Sequence, residues 1–146
     1  MVMKKIIMAI VAFAAVTIAA LADNDKAVPY EKLPAKAKYF INLNFSDGRL
    51  AYSKQERDFM EVHYEVVLVA GVKIVFDRVG EWVDIECRYS GLDEKFIPEP
   101  VRSKVAELYP DAEYKKISKN RGNYEVKLAN GAELTFDKKF SLVEVE

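Results

Sequence analysis

The chain has 146 residues, 22 basic and 23 acidic side chains, a net charge of −1, and 51% hydrophobic residues, among them eight tyrosines and eight phenylalanines. So apolar and aromatic a composition excludes disorder for the body of the chain, and charge this evenly scattered excludes a nucleic-acid partner, which needs a clustered basic field. One histidine and one cysteine exclude a metal centre built on several histidines and a disulfide within the chain.

The first residues, MVMKKIIMAIVAFAAVTIAALADND, place two lysines before an uncharged apolar run and end in Ala20-Leu21-Ala22. That order describes a secretory signal peptide over 1–22. The run is short of the ~20 residues a membrane-spanning helix needs, so the expectation is a periplasmic or secreted protein with no membrane association after cleavage. Loss of Lys4 and Lys5 with the leader moves the net charge from −1 to −3. Residues 23–32 form an N-terminal segment, and 33–146 are expected to form one domain.

Within that domain, PAKAKYFINLNF predicts a helix with Ala37, Ile41 and Phe45 on its core stripe. A strand is expected near Arg49 to Lys54, followed by a charged turn at Gln55 to Asp58. In YEVVLVAGVKIVFDRVGEW, period-two alternation assigns Tyr64, Val66, Leu68, Ile74, Phe76, Val83 and Ile85 to the core face, and Cys87 to a buried position. PEPVRSKVAELYP then spaces Val101, Val105, Leu108 and Tyr109 as one helical stripe, with prolines in its first turn and Pro110 at its end. After a strand near Glu113 to Lys119, YEVKLANGAELTFD alternates again, with Asn130-Gly131 as a two-residue hairpin turn and Val143 and Val145 supplying the apolar face of the last strand.

The two strand-rich stretches are versions of one another. Residues 64–86 and 124–146 are identical at nine of 23 positions, including Tyr-Glu-Val, Gly71 with Gly131, and Phe76-Asp77 with Phe136-Asp137. Upstream, Leu33-Pro34 matches Ile97-Pro98 at an offset larger by four, which places a four-residue insertion between about Lys54 and His63. The sequence therefore reads as a tandem repeat, about 33–87 and 97–146, each unit a helix followed by about four antiparallel strands. The fold class is α+β, with helices on one face of a long antiparallel sheet. Leu-Pro, helix, Tyr-Pro or its equivalent, Tyr-Glu-Val, a glycine turn and Phe-Asp, in that order behind a leader, resembles the PepSY-like, β-lactamase-inhibitor-like secreted proteins of Bacteroidetes. The resemblance implies a fold similar to that of the β-lactamase inhibitory protein and a binding or inhibitory role.

Catalytic motifs are missing: no G-x-S-x-G, phosphate-cradling glycine loop or H-E-x-x-H occurs, and neither catalysis nor a cofactor is expected. Asp77 and Asp137 occupy the same place in both copies, so they read as turn residues bonding nearby backbone amides. Features of one copy alone are the better guide to function. On the face opposite the helices, alternation gathers Phe59, His63, Val67, Val69, Val75 and Trp82, where the second copy carries mostly polar residues. An apolar patch there, with tryptophan at its centre, predicts a site for a protein partner or a second copy of the chain. The leading expectation is an exported binding module, an inhibitor or modulator of an envelope or secreted hydrolase acting by surface occlusion. The alternatives are a carrier of a small ligand or metal and a self-associating envelope protein.

Overall fold

A computed structural model of the chain describes residues 25–146; the leader expected over 1–22 lies outside them. Nine strands form one antiparallel sheet in sequence order: β1 (Asp25–Ala27), β2 (Leu50–Asp58), β3 (Glu61–Leu68), β4 (Val72–Phe76), β5 (Trp82–Cys87), β6 (Tyr114–Asn120), β7 (Asn123–Leu128), β8 (Glu133–Phe136) and β9 (Leu142–Val145). Two α-helices, α1 (Ala35–Asn44) and α2 (Glu99–Leu108), pack on one face, each preceded by a single 3-10 turn. The class is α+β. Pairing of Asp84, Ile85 and Glu86 with Ser118, Ile117 and Lys116 makes the sheet continuous from end to end.

The core follows from alternation. Ala37 and Ile41 of α1 and Val101 and Val105 of α2 meet Val66, Ile74, Phe76, Ile85, Ile117, Val126, Leu134 and Phe136, all buried. Burying each large apolar side chain stabilises by about 1.5–3 kcal/mol, so Phe76 and Phe136, each fully enclosed, anchor the two ends of this layer. Pro34 and Pro98 stand at the two helix N-caps, with a φ already near that of a helix and no orphaned N–H. Leu108, expected on the core stripe of α2, is exposed instead, because the helix ends there and only Tyr109 turns inward.

Cys87 is a buried free thiol on the core face, and burial pushes its pKa up. Gln55 to Asp58 form strand, not turn: β2 and β3 have nine and eight residues where β6 and β7 have seven and six, so the four extra residues lengthen the hairpin, and the turn is Phe59-Met60. The left-handed pair that a two-residue turn requires occurs at Arg121 and Gly122, between the paired Asn120 and Asn123. Asn130-Gly131 belongs to a longer loop, in which only Gly131 has positive φ and its N–H donates to the Leu128 carbonyl.

One local feature changes which side chains face the helices. Asp77 Oδ1 accepts the N–H groups of Val79 and Glu81, and Gly80 takes a φ of +97°. The strand that leaves this turn carries a bulge: Val75 pairs with Asp84, but Phe76 pairs with Trp82, skipping Val83. The same construction, with Asp137 and Phe140 in place of Asp77 and Gly80, sets Leu142 opposite Phe136. A bulge inserts one residue and so reverses the parity of everything beyond it. Trp82 and Leu142 therefore pack against the core, where alternation had placed Val83 and Val143.

Candidate protein-binding groove

The bulge corrects the expected patch. On the sheet face away from the helices, Val67 and Val75 remain, but they are half-buried among charges: Val67 pairs with Lys73, and Val75 lies between Glu65 and Asp84. Tyr52 donates to Glu65 at 2.7 Å, and Lys73 sits 3.7 Å from Glu86. His63 lies farther along β3, half-buried and opposite Glu56. Val69 is in the β3–β4 turn, and Phe59 is at the tip of the long hairpin, 95% exposed. Trp82 has left the face altogether. The six residues are not brought together, and this face is a polar surface with two valines in it.

One carboxyl of that face, Asp84, is perturbed. Its Oδ2 accepts from Ser118 Oγ at 3.0 Å with Lys116 at 3.6 Å, while its buried Oδ1 has no protein partner. Burial raises its pKa, ahead of the opposing pull of Lys116 and the Ser118 hydroxyl. Among the described residues, no group of three or more His, Cys, Asp or Glu side chains could hold a metal ion.

Trp82 instead forms one wall of a groove of about 490 Å³ on the helix side. Tyr39, Phe40 and Leu43 of α1 make the other wall, and Ala35, Lys36, Gly80 and Glu81 complete the lining. Gly80 is needed for this approach, since a Cβ there would stand 2.9 Å from the Ala37 nitrogen. Phe40 continues inward, edge-on to Phe76 at 5.8 Å, so the groove opens directly onto core side chains. Its rim is charged: Lys36 pairs with Glu81 at 2.9 Å, and Lys119 Nζ lies over the Trp82 ring. Tyr39 and Leu43 are 68% and 65% exposed.

At the offset that aligns Leu33 with Ile97, the positions of Tyr39, Phe40 and Leu43 on α1 become Ser103, Lys104 and Glu107 on α2. These are engaged with one another and their neighbours: Ser103 donates to Glu99 at 2.7 Å, and Lys104 pairs with Glu107 at 3.1 Å. One helix thus presents an apolar outer surface and the other a polar one. Residue-pattern reading missed Tyr39 and Leu43 because it counted only the positions of α1 that face the core. The available signal was an unpaired aromatic and leucine at i and i+4, on the side of that helix where its counterpart carries serine and glutamate.

Comparison with known proteins gives a consistent result. A family model described as "Putative beta-lactamase-inhibitor-like, PepSY-like" matches residues 62–144. A "putative periplasmic protein" of Bacteroides vulgatus is similar at 37% identity and a TM-score of 0.81, over 86% of this chain and 98% of its own. A "putative calcium-regulated periplasmic protein" of Bacteroides thetaiotaomicron is similar at 38% identity and a TM-score of 0.80, with the same coverage. A second Bacteroides vulgatus protein, of unknown function, matches at 32% identity and a TM-score of 0.79, over 84% of this chain and 98% of its own. No curated protein matches. Two helices on one face of a nine-stranded antiparallel sheet are consistent with the fold of the β-lactamase inhibitory protein, and no helix among the described residues is long and apolar enough to cross a membrane.

Proposed function

The chain belongs to the beta-lactamase-inhibitor-like, PepSY-like family, and from that premise we propose that it is an exported, non-enzymatic module that binds another protein through the groove between α1 and Trp82. The observation that carries this reading is the contrast between the helices: Tyr39 and Leu43 stay in water on α1, while their counterparts on α2 are polar and paired. We read the two successions of 3-10 turn, helix and four strands as duplicated units. On that reading, whatever both units share serves the fold, and the groove is the specialisation of the first. Relatives described as periplasmic support the same compartment here. Inhibition of an envelope or secreted hydrolase by covering its surface is the specific role that the family description suggests.

The test compares affinity capture from the envelope fraction by the unaltered protein, by Tyr39→Glu and Leu43→Glu, and by Val67→Glu on the opposite sheet face. A partner retained by the unaltered protein and Val67→Glu but lost from both helix variants supports the groove. Retention by the helix variants with loss from Val67→Glu returns the site to the sheet. For the inhibitory role, the captured hydrolase should lose activity on titration with the unaltered protein but not with Leu43→Glu.

A further inference from the structure

Beyond Trp82 the groove is bordered by basic residues that form no ion pair among the described residues. Lys119 covers the Trp82 ring, its Nζ 3.9 Å from the ring centroid. Its strand runs into the Arg121-Gly122 turn, and Gly122 lies against Lys138, whose Cβ would be 3.1 Å from a Cβ at that glycine. Lys139 follows in the same β8–β9 turn. Among the ion pairs of the described residues, formed by Lys36, Lys54, Lys73, Lys104, Lys116 and Lys127, none includes Lys119, Arg121, Lys138 or Lys139.

The carboxylates that act on Lys119 and Lys139 are already engaged. Asp137 accepts the backbone N–H groups of Lys139 and Ser141, which hold its pKa below the ordinary range. Glu81 is held by Lys36, and Asp77 by the N–H groups of Val79 and Glu81. In the first unit the corresponding turns present Phe59-Met60 and Arg78-Val79, largely apolar. On a chain whose net charge is negative, Lys119 at the aromatic groove and the unpaired Arg121, Lys138 and Lys139 in the turns beyond its strand form a local field of opposite sign, and such a field selects partners and speeds their encounter.

Resting on the groove reading above, we propose that the occupant is an acidic segment of a protein, whose aromatic or branched aliphatic side chain fills the space between Tyr39, Leu43 and Trp82 while neighbouring carboxylates meet Lys119, Arg121 and Lys138. The groove is concave and walled by a helix and a tight turn, which suits a protruding side chain. Lys36, on the α1 side, is already paired with Glu81, whereas the unpaired Lys119 lies on the Trp82 side, which sets the side on which the acidic residues must continue. Anionic lipid shares the charge but offers a flat surface to a concave site.

Trp82 is the only tryptophan of the chain, so its emission reports occupancy directly. The probe is a capped peptide with Phe-Leu between two runs of Asp and Glu. Its titration should give a saturable change in Trp82 emission. The doubly substituted Arg121→Glu, Lys138→Glu protein, altered away from the indole, should bind it roughly tenfold more weakly and with less dependence on salt. A peptide with lysines in place of the acids should give no saturable change. Equal response to both peptides, or equal titration by the charge-reversed protein, overturns the proposal. So does a shift of Trp82 emission by phosphatidylglycerol vesicles with none by the acidic peptide. If Leu43→Glu loses its captured partner while charge reversal has no effect, only the acidic occupant is wrong; if Leu43→Glu keeps the partner, the groove itself is wrong.

Discussion

Lys119 Nζ stands 3.9 Å from the centroid of the Trp82 ring, joining β6 to β5 on the helix-covered side of the sheet. Burial lowers the pKa of this lysine, ahead of the opposing pull of Glu81 and Asp77. Holding the ammonium in its charged form therefore costs stability at neutral pH, and the cost is relieved as pH rises through the folded value toward the ordinary 10.5. In urea unfolding, the stability of the unaltered protein should gain on that of Lys119→Met across that window, and 13C NMR of the lysine Cε groups should show one midpoint below the rest. A midpoint for Lys119 at or above 10.5 would contradict the buried placement.

Asp84 gives the second pH dependence. Its carboxyl has a higher pKa folded than unfolded, because burial outweighs Lys116 and Ser118. The cost of ionising it is absent below the unfolded value of 3.8 and complete above the folded one. Asp84→Asn should therefore melt higher than the unaltered protein at pH 7, and the difference should vanish near pH 3. A variant that melts lower at pH 7 would mean that the Lys116 attraction exceeds the cost of burial.

Gly80→Ala should destabilise strongly. An alanine in left-handed backbone costs about 1–3 kcal/mol, and its methyl would also press on Ala37 N and Lys36 Cβ, both 2.9 Å away. A loss of unfolding free energy smaller than that range, measured by urea denaturation, would show that the turn can withdraw from α1, and Trp82 emission would then report an opened groove.

At the tip of the long hairpin, Phe59 holds a φ of +54° with its side chain in water. An aromatic residue gains nothing there to offset the backbone cost, so Phe59→Gly should stabilise by about 1 kcal/mol. Denaturant unfolding checks the sign. A loss of stability would mean that the ring packs on its neighbours in solution.

Tyr39→Glu and Leu43→Glu should each change stability by less than about 0.5 kcal/mol, as solvent-facing substitutions generally do. Thermal melts superimposable on the unaltered protein are what entitle these variants to report on binding.

Most of the sheet could be read from period-two alternation, since Val66, Leu68, Ile74, Phe76, Ile85, Val126, Leu134 and Phe136 all lie where their parity puts them. Parity failed at Trp82 and Leu142 because the count was carried across turns that end in a bulge, and hydrophobicity on both sides of the bulge concealed the slip. β1 was not foreseen: three residues, Asp-Lys-Ala, have no strand propensity of their own and are held by pairing to Lys54, Gln55 and Glu56. The difference between residues 64–86 and 124–146 was legible, but the side of the sheet on which Trp82 stands depended on one inserted residue.

Every strand of this sheet hydrogen-bonds only to its neighbours in sequence. A chain arranged this way can form its hairpins one after another, each closing only a short loop, which is the topology associated with rapid folding. The exceptions are β1 with β2, separated by α1, and, across the longer intervening stretch, β5 with β6, separated by the whole of α2 and joined through Asp84, Ile85 and Glu86. That seam is where closure carries the largest entropic cost, and it is the expected position of the slowest step by which the protein assembles.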